Sequence, residues 1–191
     1  MTTQPSTPSP LQAVVLVEGT SDQVAVETLA ERRERDLMRE RIEVVPIGGA
    51  QAIARFLGLY PREVKLAGLC DAGEEPEFRR ALERAGFGDG LTREGLEGLG
   101  FFTCEPDLEA ELIRALGADD ILRIAEEHGD IASFRTLQKQ REWRGRPVED
   151  QLRRWMGSGG SRKIRYARYL VEALDLAAVP RPLAGVLAAV S

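Results

Sequence analysis

The sequence predicts an α/β fold: a central, mostly parallel four-stranded sheet flanked by helices, with a C-terminal helical extension. Three observations predict it. Short β-branched apolar runs alternate with helix-like stretches up to about residue 117, three of those runs end on carboxylates, and beyond residue 118 the strand-like runs stop. Strands separated by helices pair in parallel through right-handed crossovers, which gives an open sheet.

The elements follow in order. AVVLV (13 to 17) is a β-branched run suited to a strand buried on both faces. Ser21 is the expected N-cap of the next helix, whose apolar positions include Val24, Leu29 and Leu37. IEVVPI (42 to 47) reads as a second strand broken by Gly48-Gly49, and AQAIARFLGLY as a second helix. VKLAGLC (64 to 70) is a third strand ending at Asp71, and a helix with an early proline spans 76 to 85. GLTREGLEGLG reads as a glycine-punctuated connection, and GFFTCE (100 to 105) as the fourth strand. A helix then starts on Asp107 and stops at Gly117. Five short helices complete the chain, at 119–128, 131–139, 148–156, 161–175 and 182–189. The expected division is a disordered leader (1–10), an α/β core (11–117) and a helical section (118–191) carrying a basic patch.

In 191 residues, 43% are hydrophobic and 30% charged, a composition ordinary for a globular protein, and no apolar run approaches the length of a membrane span. Cys70 and Cys104 lie in apolar segments, which suits a reducing compartment and a cytoplasmic location. With two cysteines and the single His128, no zinc site of ordinary spacing can be assembled. The net charge of −5 hides an asymmetry: residues 135–168 carry eleven Lys/Arg and three acids, a net +8 that leaves −13 elsewhere.

The strand ends carry the chemistry. Open α/β sheets bind ligands at the carboxyl ends of their strands. Here strand one delivers Glu18 and, one turn on, Asp22; strand three delivers Asp71; strand four delivers Glu105, Asp107 and Glu109. Asp22 and Asp107 also sit where a helix N-terminus favours aspartate. Glu18 and Asp71 have no such role, because a carboxylate ending an apolar strand gains nothing from packing. Clustered carboxylates repel one another, and oxygen donors of this kind suit Mg²⁺ or Mn²⁺.

AVVLVEGTSD resembles the opening E-G-x-x-D motif of the Toprim domain, and LAGLCDAGEE its strand plus D-x-D motif. CEPDLEAEL resembles the D-L-E motif, and GGSRKIRYA the Lys-bearing helix start, of Toprim domains in the OLD (overcoming lysogenization defect) nucleases. The resemblance implies a Rossmann-like Toprim fold and a nuclease that hydrolyses DNA phosphodiesters with Mg²⁺ or Mn²⁺. It implies Glu18 as metal ligand or general acid/base, Asp22, Asp71, Asp107 and Glu109 as further metal ligands, and Lys163 as the group that stabilises transition-state charge. One position departs: Gly73 replaces the second Asp of D-x-D, with Glu74 or Glu75 as candidate substitutes. This opens the alternative of a non-catalytic nucleic-acid-binding or partner-docking module.

Arg141, Arg144, Arg146, Arg153, Arg162, Arg165 and Arg168 are the expected phosphate contacts, with Trp143 or Trp155 to stack on a base and Trp155 the better core residue. Gly48-Gly49 reads equally as a phosphate approach or a tight turn. DNA is the expected partner, with RNA as the other polynucleotide. No G-x-x-x-x-G-K-[ST] occurs, so an ATPase, where required, is expected on a separate subunit.

Overall fold

The computed structural model describes residues 11–191; the expected leader, 1–10, lies outside the described residues. Four strands, β1 (Ala13–Val17), β2 (Ile42–Pro46), β3 (Lys65–Asp71) and β4 (Phe101–Cys104), form one sheet in the order β2-β1-β3-β4. Every pairing is parallel, so the sheet is wholly rather than mostly parallel. The strand order reverses direction at β1, which opens a crevice between the ends of β1 and β3.

Side chains of β1 alternate between two apolar cores. Ala13, Val15 and Val17 pack with α1 (Thr20–Arg32) and with the C-terminal helices. Val14 and Leu16 face the opposite core, beneath α2 (Ile53–Leu57), α3 (Glu75–Arg84) and α4 (Arg93–Gly98). All five are fully buried, as a strand covered on both faces requires.

α5 (Leu108–Leu116), α6 (Ala118–Glu127), α7 (Ile131–Lys139), α8 (Val148–Gly157), α9 (Gly160–Ala173) and α10 (Arg181–Ala189) complete the fold. Leu152, Trp155, Tyr166, Leu170 and Val186 lie in the same core as Val15 and Leu29, so the packing runs across residue 118 without a break. Arg32, the last residue of α1, and Arg35, just beyond it, donate to the carbonyls of Leu174 (2.6 Å) and Leu187 (2.7 Å), closing the ends of α9 and α10.

Three local expectations are corrected. The glycine-punctuated stretch contains the helix α4, because the Thr92 hydroxyl accepts from the Gly95 N–H at 3.2 Å and Leu96 is buried beneath it. The expected second helix is a 3₁₀ turn (Ala50–Ala52) followed by only five α-helical residues. α1 is capped by Gly19 rather than Ser21 and ends at Arg32, so Leu37 lies beyond it.

Candidate metal centre

Glu18 follows β1 directly and is fixed at both its backbone and its carboxylate. Its carbonyl accepts from the Gly48 and Gly49 N–H groups, each at 3.1 Å. These glycines have φ of +78° and +109°, backbone that L side chains rarely adopt. Their N–H groups are thus committed to Glu18, and Gly48-Gly49 is a tight turn. The Glu18 Oε1 accepts from the Asp71 N–H at 2.7 Å, bridging the crevice between β1 and β3. Burial raises the Glu18 pKa, and Asp22 and Glu74 add to it against the opposing Asp71 N–H and Lys163.

Asp22 is in the first turn of α1, where Oδ2 accepts from the Gly19 N–H at 3.0 Å. It therefore caps its helix as well as facing the cluster. Burial raises its pKa; Lys163 works the other way. Asp71 closes β3, and burial together with Glu18, Asp22, Asp107 and Glu109 pushes it up to about 8. Asp71 thus lies within range of the charges of the other four carboxylates.

Asp107 is the N-cap of α5: Oδ1 accepts from the Ala110 N–H at 2.9 Å, and Oδ2 pairs with Arg153 at 2.5 Å. Glu109, almost fully buried two residues on, pairs with Lys163 Nζ at 3.2 Å. Burial raises its pKa and Lys163 opposes the shift. Lys163 lies in the first turn of α9, which packs along α1. Burial acts to lower its pKa, but Glu109, Asp22 and Asp71 outweigh it and hold the ammonium charged.

The two candidate substitutes at the D-x-D motif separate. Glu75 is clamped by Arg79 (2.5 Å) and Arg93 (2.6 Å), which outweigh its burial and lower its pKa. Glu74 stands close enough to raise Glu18. Glu105 turns away to pair with Arg93 at 3.0 Å. The donor set of Glu18, Asp22, Asp71, Asp107 and Glu109 is all oxygen, buried at Asp22 and Glu109 and half-buried at the others, and only partly neutralised by Lys163 and Arg153, a chemistry that suits a hard divalent cation. Among the described residues, no three His, Cys, Asp or Glu side chains stand grouped to hold a metal as placed.

A cleft of about 560 Å³ opens beside Asp107, Glu109 and Lys163, lined further by Trp143, Arg146, Arg153 and Arg154. Of the seven arginines expected to contact phosphate, Arg146 and Arg153 line it. Arg162, Arg165 and Arg168 fall on one stripe of α9 and are engaged elsewhere. Arg162 stacks over Trp155 and donates to its carbonyl, Arg165 pairs with Asp130, and Arg168 with Glu31 and Glu172. Arg141 and Arg144 are exposed on the turn after α7. The seven therefore do not line a single groove. Arg154 joins the cleft; its signal was the Asp150, Arg153, Arg154, Gly157 spacing, one polar face of α8. Trp155 is buried core, Cys70 is an inert thiol pushed up to about 12 by burial, and His128 caps the end of α6 while stacked on Tyr169.

An all-parallel sheet with carboxylates at the ends of β1, β3 and β4 and a cation on the covering helix is a Toprim-type α/β fold. Residues 11–70 match the family model described as overcoming lysogenization defect protein-like, TOPRIM domain. The fold is similar to the C-terminal region of the Xanthomonas campestris pv. campestris OLD protein (TM-score 0.73, 24% identity, covering 94% of this chain and 92% of that one). It is similar also to the C-terminal region of the Burkholderia pseudomallei OLD protein (TM-score 0.71, 17% identity, covering 94% and 97%). At these identities the likeness establishes the fold. No curated protein sequence matches the chain.

Proposed function

We propose that this chain is a divalent-metal-dependent nuclease, a hydrolase of phosphodiester bonds in DNA. One observation carries the reading: Glu18 and Asp71 end adjacent strands and are joined by the Asp71 N–H, and burial, with the charges of Glu18, Asp22, Asp107 and Glu109 added, pushes Asp71 up to about 8. Glu18, Asp22, Asp71, Asp107 and Glu109 would hold Mg²⁺ or Mn²⁺, which polarises a phosphoryl oxygen and acidifies water when bound. Glu18 keeps one oxygen on the Asp71 N–H and has the other to accept a proton, and burial raises its pKa, which makes it a stronger base than a free carboxylate. Lys163 remains charged and offsets negative charge on the transferring phosphoryl group. A separate ATPase subunit is a further proposed partner, on the motif resemblance alone.

Glu18→Gln is expected to lower Mn²⁺-dependent nicking of supercoiled plasmid by about 100-fold or more, the ordinary contribution of a general base. Cleavage that persists in both Glu18→Gln and Asp71→Asn overturns the assignment.

Gly73 favours a second reading, a non-catalytic binding or docking module. A Cβ at Gly73 meets nothing within 4 Å, and its φ lies outside the left-handed region, so aspartate fits there without strain. Gly73→Asp is expected to tighten Mn²⁺ binding by roughly tenfold, about 1.4 kcal/mol, in calorimetry. Wild-type protein that binds no Mn²⁺ at millimolar concentration, beside a Gly73→Asp variant that does, selects the module.

A further inference from the structure

We infer that the cleft beside the carboxylate cluster is a stacking subsite for an unpaired nucleotide, so that the polynucleotide is taken as a single strand. The inference rests on the nuclease reading for the neighbouring site but not on the metal.

Trp143 and Arg146 form a plate in the cleft wall, with the guanidinium carbon 5.2 Å from the indole centroid. A flat guanidinium on an indole presents a planar, polarisable surface of the kind on which bases stack. The plate is held in advance of any ligand. Gln151, 5% exposed, donates through Nε2 to the carbonyls of Trp143 (2.8 Å) and Arg146 (3.1 Å), and is itself anchored by Gln138 at 2.8 Å. Gly145, at φ +79°, makes the turn that folds Arg146 back onto Trp143. Arg146 Nε donates to the Glu142 carbonyl at 2.8 Å, which fixes the guanidinium further.

Charge and size agree with a nucleotide. Arg146, Arg153, Arg154 and Lys163 outnumber the acids Asp107, Glu109 and Asp150, and the volume of about 560 Å³ lies within the roughly 300–1,000 Å³ of small-ligand pockets. Asp107 and Glu109 are already paired, with Arg153 and Lys163. A base inside a duplex is stacked on its neighbours and shows only its edges, so a plate of this kind engages a base that has left the stack.

The test is fluorescence anisotropy of labelled oligothymidylate against a duplex of equal length, on the full chain, in EDTA. The single strand is expected to bind more tightly, and Trp143→Ala to weaken it by about 5- to 150-fold, the range for one stacked base. Trp143→Phe should recover most of that loss, and duplex binding should not change. If Trp143→Ala fails to melt cooperatively, Arg146→Ala carries the same expectation. Unchanged single-strand binding in the folded variant, or an equal loss for duplex, overturns the subsite. The two readings fail separately: cleavage that persists in both Glu18→Gln and Asp71→Asn sinks the metal centre, whereas normal oligothymidylate binding by Trp143→Ala sinks only the plate.

Discussion

At Asp71 the folded chain keeps a proton that the unfolded chain releases near pH 4, because burial and the surrounding carboxylates push its carboxyl up to about 8. Between those two values the native state binds more protons than the unfolded one. Its contribution to stability is therefore complete below about pH 4 and is lost progressively as pH rises to about 8. Metal-free protein is expected to lose thermal stability from pH 5 to pH 8, and Asp71→Asn to flatten that decline, as measured by Tm. For a chain of this size each 1 kcal/mol corresponds to about 2–4 °C. A decline equally steep in Asp71→Asn excludes Asp71 as its source. Legibility at this scale followed from packing economics. Glu18 and Asp71 were readable because a carboxylate that ends an apolar run needs a reason other than packing. The fates of Arg165 and Arg168 were not, since their partners Asp130 and Glu31 are 35 and 137 residues away. Glu75 was concealed for the same reason: Arg93, which removes it from the site, belongs to another helix.

Among the elements, β3 is held between β1 and β4 by an absent side chain. A Cβ at Gly68 would stand 2.6 Å from the buried Phe101 ring and 3.0 Å from the Leu16 carbonyl. Neither neighbour can give way cheaply, one being a ring in the core and the other backbone of the central strand. Gly68→Ala is expected to destabilise the protein by about 1–3 kcal/mol, the usual cost of overpacking, read as a lowered urea midpoint with unchanged slope. An unchanged midpoint would mean that the Phe101 ring yields freely. Strands were legible because β-branched runs bounded by Gly, Pro and acids have few other uses. α4 was not, because three glycines in GLTREGLEG argue for a loop locally, whereas one buried leucine and a threonine cap decide for a helix tertiarily. The early end of α1 had the same character, with Arg33 and Glu34 closing it by backbone bonds that no periodicity announces.

For the whole molecule, the sheet and the helical section are one packed body, and the cluster depends on both. Strand ends supply Glu18 and Asp71, α1 and α5 supply Asp22, Asp107 and Glu109, and α9 supplies Lys163. The alternation of strands and helices was enough to read the parallel sheet. The basic section from 135 to 168 was readable as a charge asymmetry but not as a surface, because charge counts do not record which face of a helix each arginine occupies. Among the described residues no helix is long and apolar enough to cross a membrane. The seam between α1 and α9 has a further consequence. Successive residues of an α-helix are about 100° apart around its axis, so α9, packed along α1, brings Lys163 to Glu109 of α5 in only one rotational setting. Arg162 and Ile164, its immediate neighbours, point to the Trp155 stack and to solvent. The helix thus acts as an indexing shaft: it delivers a cation to the carboxylates at one setting and, turned by one step, a stacked arginine or a bare aliphatic.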